Sequence, residues 1–280
     1  MANILHLKTC GLSRARVTFR TMASSSSMLA ERLTTSKRDM EVAGEKLRSG
    51  GLVAFPTETV YGLGANALDE VAVKNIFVAK ERPLTDPLIV HVPDSKTALE
   101  LLEFSNEEER EVFCTLADNF WPGPLTIVAK ASDKIPDLVT ASTGMVGTRC
   151  PNHSVARELL RVAKVPIAAP SANRFGHVSP TRAQHVLDDL GHSDIAVLDG
   201  GSDIDCAVGI ESTVLKIDTV ARHLHVFRRG GTSELALRNT LFKVGLDYSV
   251  KVFAKTVEHK NPSGKEGASS SAPEEGPGGL

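Results

Sequence analysis

An α/β domain on a twisted, mixed sheet is the fold class this sequence predicts, and three observations predict it. Short apolar runs of strand length, such as Leu52 to Phe55 and Ile195 to Leu198, alternate with stretches of helical period. The chain has 280 residues, 41% of them hydrophobic, which is enough for one large core. Between residues 38 and 245 neither a repeat nor a long polar linker interrupts the alternation, which favours a single folded unit.

The elements follow in order. A helix over Met40 to Arg48 ends at Gly50-Gly51, a plausible C-cap pair. Strand Leu52 to Phe55 comes next, and Thr57, Thr59 and Tyr61 then surround a bend at Gly62 and Gly64. Asp69 is the N-cap of a helix running through Val71, Ile76 and Phe77 to Lys80. A strand over Leu88 to Val92 precedes helices near Ser95 to Leu102 and Asn106 to Ala117. Leu125 to Ala129 and Met145 to Arg149 read as strands, Ser154 to Ala163 as a helix, Val165 to Ala169 as a strand and Thr181 to Leu190 as a helix. Ile195 to Leu198, Thr213 to Ile217 and His223 to Phe227 complete the sheet, and Thr232 to Leu241 is the last helix.

The two ends differ from this middle. Lys8, Arg14, Arg16, Arg20 and the run Ser24 to Ser27 precede the first acid, Glu31. Basic, serine-rich and acid-poor is the composition of an organellar transit peptide; a disordered tail without an address is the alternative. The expectation is a disordered extension over residues 1–37 with a mitochondrial or plastid address, and a cytoplasmic form starting from Met22 or Met28. The folded domain is then 38–250. Residues 251–280 are expected to form a second disordered tail, because from Asn261 onward Gly, Pro and Ser dominate and little could pack.

A net charge of -2 gives no global basic field of the kind that announces a nucleic-acid partner. No apolar run reaches the roughly 20 residues that span a bilayer. Cys10, Cys114, Cys150 and Cys206 form no C-x-x-C and have no histidine at finger spacing, so reduced thiols and no zinc site are expected.

Strand ends in open α/β sheets are where ligands sit, and several here carry polar residues. Two positions apart on a helix, Lys80 and Arg82 would point to nearly opposite sides. Pro83 disfavours helix at Arg82, so the chain leaves the helix at this pair and both cations can turn toward one site. Such a pair suits the phosphates of ATP, Lys as a point charge and Arg as a planar fork. On spacing alone, a solvated lysine at a helix C-terminus and a surface arginine is the plainer reading. Ser171 and Asn173 flank Ala172 after the apolar run Ile167 to Ala169; they can bond a ligand or stabilise a turn through their own backbone. The glycine bend is neither a P-loop nor a dinucleotide fingerprint. Glu58 reads as an N-cap or turn acid, His91 as a core or rim histidine, and Asp199-Gly200-Gly201 as a structural turn, with a metal contact as the weaker alternative. No Ser-His-Asp or Cys-His set emerges, which fits a reaction needing mainly positioning and charge neutralisation.

Pro56 to Gly64, Ile76 to Val92, Trp121 to Val128, Val146 to Pro151, Pro170 to Thr181, Asp199 to Gly201 and Gly209 to Val214, in this order, closely resemble the YrdC-type L-threonylcarbamoyladenylate synthases. The resemblance covers roughly residues 37 to 245. It implies a YrdC-like sheet with a concave basic pocket into which Lys80 and Arg82 are exposed as the catalytic cations. It implies threonine contacts from Thr59, His91, Arg149, Ser171 and Ser212, with Arg149 on the α-carboxylate. ATP contacts are implied for Lys80, Arg82, Asn173, Thr181 and Arg228, with Ser179 nearby. Arg229 departs from the family, which has proline there, so whether Arg228 or Arg229 faces the nucleotide stays open.

The implied reaction joins L-threonine, bicarbonate and ATP into L-threonylcarbamoyl-AMP with release of pyrophosphate. Mg2+ would accompany the ATP, with no protein metal site. A separate tRNA-modifying transferase complex would consume the product, and direct tRNA binding would be weak at most. A non-catalytic RNA-binding module is disfavoured by the lack of aromatic stacking motifs and of a basic surplus. A carbamoyl-transfer domain of a larger maturation enzyme is disfavoured because no zinc-finger or acylphosphatase-like segment accompanies it.

Overall fold

A computed structural model describes residues 30–201 and 206–253. Residues 1–29, where the transit peptide is expected, with Cys10, Met22 and Met28, and the tail from residue 254 onward lie outside the described residues.

In chain order the elements are β1 (Glu31–Leu33), α1 (Lys37–Arg48), β2 (Leu52–Phe55), β3 (Gly62–Asn66), α2 (Glu70–Lys80), β4 (Ile89–His91), α3 (Ser95–Leu99), β5 (Leu102–Glu103), α4 (Glu107–Phe120) and β6 (Leu125–Ala131). There follow α5 (Asp137–Thr140), β7 (Met145–Arg149), α6 (Ser154–Ala163), β8 (Ile167–Ala168), α7 (Ala183–Leu190), β9 (Ile195–Leu198), β10 (Thr213–Asp218), β11 (His223–Arg228), α8 (Glu234–Lys243) and β12 (Ser249–Val252). The strands form one mixed sheet in the order β1-β9-β2-β3-β8-β4-β7-β6-β10-β11-β12, with β5 paired to β6 off this path. The α/β class and the mixed sheet are as the sequence predicts.

Local sequence explains the helices and what they cover. Ser36 caps α1 by accepting from the Asp39 N–H, and Met40, Ala43, Gly44 and Leu47 fall on its buried face. That face packs on α6 and on one side of β2, in a cluster with Val53, Phe55, Leu159 and Ala163. Asp69 caps α2 through the N–H groups of Val71 and Ala72. The buried positions of α2 are Ala72, Val73, Ile76, Phe77 and Lys80, so Lys80 lies on the same stripe as the apolar residues. The four apolar ones join a larger cluster with Leu63, Val90, Ile127 and Leu215.

Four differences from the sequence reading matter. Glu31–Leu33 is not part of a disordered extension; it pairs in parallel with β9, Glu31 opposite Ala196. Lys251 and Val252 belong to β12, which pairs with β11, so the fold also runs past 250. Both are edge strands held by backbone pairing, which leaves little mark on side-chain pattern. Gly62–Asn66, read as a bend, is strand β3, antiparallel to β2. The short α5 and β5 were not read at all, being too brief for a periodic signal.

Candidate active site

The topology brings several strand ends to one place. His91 and Arg149 are the last residues of neighbouring parallel strands β4 and β7 and face each other in register. Arg228 ends β11 and stands opposite Val214 of β10, beside Ser212. The turn after β2 supplies Thr57 and Thr59, and the loop after β8 supplies Ser171. Together with Arg82, Asp86, Phe175 and Glu211 these residues line a cleft of about 310 Å³. A larger hollow of about 700 Å³ lies elsewhere, beside Lys46, Asn75, His192 and Asp194. Lys46 there is already paired with Asp194 at 2.9 Å and no strand-end residue of the cleft reaches it, so the smaller cleft is the candidate site.

Of the sequence-predicted residues, Arg82, Thr59, His91, Arg149, Ser171, Ser212 and Arg228 line the cleft. Lys80, Asn173 and Thr181 do not. The expectation that Lys80 is exposed to the pocket needs correcting: it is 1% exposed. Its ammonium donates to the carbonyl oxygens of Ser171 and Asn173, and its own carbonyl accepts from the Phe175 N–H. Glu81 takes the left-handed C-cap position with φ 52°, and the Arg82 N–H returns to the Phe77 carbonyl. The chain therefore turns between the two cations. Lys80 goes under the loop and Arg82 goes to the cleft. Burial, and then the like charge of Arg82, push the Lys80 ammonium down to about 7.

Asn173 is likewise a loop clamp in this structure, its amide donating to the carbonyls of Arg174 and His177. The turn-stabilising reading accounts for that amide, while its Oδ1 is buried without a partner among the described residues. The two candidate arginines point in different directions. Arg228 lines the cleft, whereas Arg229 is exposed and donates to Glu234.

The pocket is charge-paired rather than simply basic, because each arginine on its wall meets an acid. Arg149 reaches Glu58 at 2.7 Å, with side chains 5% and 7% exposed. Arg228 pairs with Glu211 at 2.9 Å, and Arg82 lies 3.6 Å from Asp86. Glu58 is thus not a turn acid. It approaches Arg149 off the hydrogen-bond line, so both of its oxygens and Arg149 Nη2 lack a hydrogen bond among the described residues. The remaining Arg149 contacts are Nη1 to Thr59 Oγ1 at 3.0 Å and Nε to the Gly123 carbonyl at 3.3 Å. Glu58, Asp86 and Glu211 were missed because each is defined by a partner distant in sequence or by a loop turn. The one signal for Glu58 was its place directly after an apolar strand, where a carboxylate buried with the chain must find a cation.

His91 is 3% exposed, with its ring edge-on to Phe55. Burial, reinforced by Arg149, drives its pKa from 6.5 to about 3. It is a neutral imidazole at any working pH. The unfolded chain takes up the proton near 6.5 while the folded protein refuses it until about 3. Stability from this group is complete above pH 6.5 and is lost as pH falls toward 3. Between pH 7 and pH 5 the wild type should lose about 2 kcal/mol relative to His91→Leu, from urea titrations at both values. An unchanged difference would mean that the folded protein accepts the proton. Cys150 is no nucleophile: burial raises its thiol to about 11, and its Sγ donates to the Pro93 carbonyl.

Comparison with known proteins places the chain in a family. The Sua5/YciO/YrdC family model, described as "Telomere recombination", matches residues 45–230. A threonylcarbamoyl-AMP synthase of Pyrococcus abyssi is 48% identical over 178 residues, covering 64% of this chain and 50% of the relative. One from Bacillus subtilis is 43% identical over 188 residues, covering 67% and 52%. The chain spans about half the length of these curated relatives. The crystal structure of P. abyssi Sua5 complexed with L-threonine superposes with a TM-score of 0.70 at 38% identity, over 80% of this chain and 62% of that one. Escherichia coli YciO, at 19% identity and a TM-score of 0.62 over 75% of this chain and all of its own, shares the fold. By family match, relatives and fold together, the chain is a member of the Sua5/YciO/YrdC family.

Proposed function

We propose that the cleft makes L-threonylcarbamoyl-AMP from L-threonine, bicarbonate and ATP, releasing pyrophosphate and water, and so acts as a nucleotidyltransferase. The observation that carries this reading is the meeting of two different polar sets in one cleft. Thr59, His91, Arg149, Ser171 and Ser212 line it, and Arg82 and Arg228 line the same cleft. The first set suits an amino acid, the second a polyphosphate. The names of the relatives and the threonine complex of P. abyssi Sua5 support the same assignment.

In this reading the threonine amine adds to bicarbonate or CO2 to give a carbamate, whose oxygen attacks the α-phosphorus of ATP. Pyrophosphate leaves with the bonding electron pair. Neutral His91 and charged Arg149 hold the amino acid, and Arg149 attracts its carboxylate. Arg82 is the cation with the loosest partners, with one 3.4 Å bond to the Pro87 carbonyl and a buried Nε that has no partner among the described residues. It is therefore the one most free to take a phosphate. No group of three or more metal-ligating side chains occurs among the described residues. That suits Mg2+ carried on the nucleotide, since Mg2+ needs only one or two protein carboxylates beside phosphates. Asp86 and Glu211 are the carboxylates on the wall that would touch it, and it would neutralise phosphate charge. The product would pass to a separate tRNA-modifying transferase.

The test is pyrophosphate release from ATP with L-threonine or bicarbonate withheld in turn; release should require both, and equal release without threonine would sink the reading. Arg82→Ala should lower the rate by more than about tenfold, the worth of a charge-assisted contact. Its urea midpoint should stay close to the wild-type value, because the side chain's contacts are loose ones, 3.4 Å to the Pro87 carbonyl and 3.6 Å to Asp86. A full rate in that variant would make Arg82 a bystander.

A further inference from the structure

Two hydroxyls on the cleft wall have their hydrogen-bonding sense fixed from behind. Thr57 Oγ1 lies 2.7 Å from the Val60 carbonyl and 2.8 Å from Thr59 Oγ1. A carbonyl has no proton, so Thr57 gives its own to Val60 and can meet Thr59 Oγ1 only as the acceptor, at 2.8 Å, alongside two longer 3.2 Å contacts from the N–H groups of Thr59 and Val60. Thr59 Oγ1 also accepts from Arg149 Nη1 at 3.0 Å. What Thr59 has left for a ligand is one lone pair.

Ser212 is the opposite case. Its Oγ accepts from Arg228 Nη2 at 3.0 Å and lies 2.8 Å from Thr126 Oγ1. Thr126 is fully buried, and Ser212 is its hydroxyl's only hydrogen-bond partner among the described residues. If Ser212 were the donor, the Thr126 proton would be stranded in the core. Thr126 therefore donates, both lone pairs of Ser212 are used, and the Ser212 proton remains for the cleft. The Thr126 methyl is turned toward Gly147, where any Cβ would come within 2.9 Å of it, so the backbone of β7 helps keep the hydroxyl toward Ser212.

We propose that Thr57 and Thr126 are positioning residues that set the polarity of Thr59 and Ser212, so that the cleft selects an amino acid presenting a donor to Thr59 and an acceptor to Ser212. This rests on the amino-acid assignment above. The donor is the ammonium or hydroxyl of the substrate and the acceptor an oxygen. A carboxylate drawn in by Arg149 must then sit clear of Thr59, since two acceptors would face each other. Neither positioning hydroxyl belongs to the charged set, and each lies on a different segment, so each tests the idea separately.

Calorimetric titration of the full chain with L-threonine and, separately, ATP provides the test. Thr57→Val lets Thr59 turn its proton into the cleft, and Thr126→Val releases a lone pair on Ser212. Each should weaken threonine binding by about threefold to tenfold, the worth of one hydrogen bond, with ATP binding changed by less than about twofold. Thr57→Ser and Thr126→Ser keep the hydroxyls and should restore threonine binding to within about twofold. Valine variants that bind threonine like the wild type, or serine variants as weak as valine ones, would overturn the proposal. Thr57 also accepts from the N–H groups of Thr59 and Val60, so its valine variant can disturb the turn itself. Neutron diffraction of the deuterated wild type avoids that problem. The Thr59 deuteron must point at Thr57 and the Thr126 deuteron at Ser212; either one reversed overturns the assignment. A wild type that binds ATP but no amino acid would remove the proposed function instead, while leaving the deuteron directions to be judged as they are.

Discussion

Arg149→Ala should cost about 3–5 kcal/mol of stability, the usual loss when one partner of a buried ion pair is removed. The cause is Glu58. Its side chain is 7% exposed, and Arg149 at 2.7 Å is its ion-pair partner among the described residues. Truncating the arginine leaves that carboxylate buried without a counter-charge. It also frees the Gly123 carbonyl and Thr59 Oγ1 from their guanidinium donors. Glu58→Gln should be milder, since an amide tolerates burial better than an unpaired charge. Replacing both partners by apolar residues of similar size, Glu58→Leu with Arg149→Met, should return most of the stability while abolishing threonine-dependent activity. Urea unfolding of the single and double variants measures the coupling directly. If Arg149→Ala unfolds at the wild-type midpoint, water reaches Glu58 and the pair is not the buried one described.

The contrast between what the sequence announces and what the fold reveals is sharpest around this pair. Leu52–Phe55 is read correctly to the residue because a strand buried on both faces is a continuous apolar run. The cap of α2 at Asp69 is legible because its side chain bonds the nearby N–H groups of the helix start. Strand β3 was not legible. Its Gly62 and Gly64 suggest a bend, yet Gly64 is there because a Cβ would come within 2.7 Å of the Ile167 side chain and 2.8 Å of the Phe55 ring. The glycine leaves room on β3 for side chains from both flanking strands, β2 and β8, and nothing in the local sequence distinguishes that need from a turn. At the site, the chain of polar strand ends was visible, but the acids opposite the arginines were not. Glu58 and Arg149 are 91 residues apart, and only the folded sheet brings them together.

Lys80 is the residue whose expected behaviour changes most, and Lys80→Ala should destabilise the protein by about 2–4 kcal/mol as well as reduce activity. The sequence pair Lys80 and Arg82 suggested two equivalent cations at a phosphate. The spacing of Val73, Ile76, Phe77 and Lys80 instead puts the lysine on the buried stripe of α2, among the largest fully buried side chains. Alanine there opens a cavity and leaves the carbonyls of Ser171 and Asn173 without their donor, in the loop that also carries Phe175 to the cleft. Lys80→Met keeps most of the volume and removes the buried charge, so its stability loss should be smaller, with the loop still unanchored. The two should therefore differ in unfolding midpoint but share a raised KM for ATP, whereas Arg82→Ala keeps its midpoint. The pH dependence has a definite sign. With the folded ammonium titrating at about 7 and the unfolded one at 10.5, the unfolded chain holds the extra proton between those values. Wild-type stability should then rise relative to Lys80→Met as pH increases from 7 to 10, by at most about 1.4 kcal/mol per pH unit. Fluorescence-monitored urea titrations of both proteins at pH 7, 8.5 and 10 measure it. A Lys80→Ala variant that unfolds with the wild type at every pH would place the ammonium in the cleft and restore Lys80 to the phosphate.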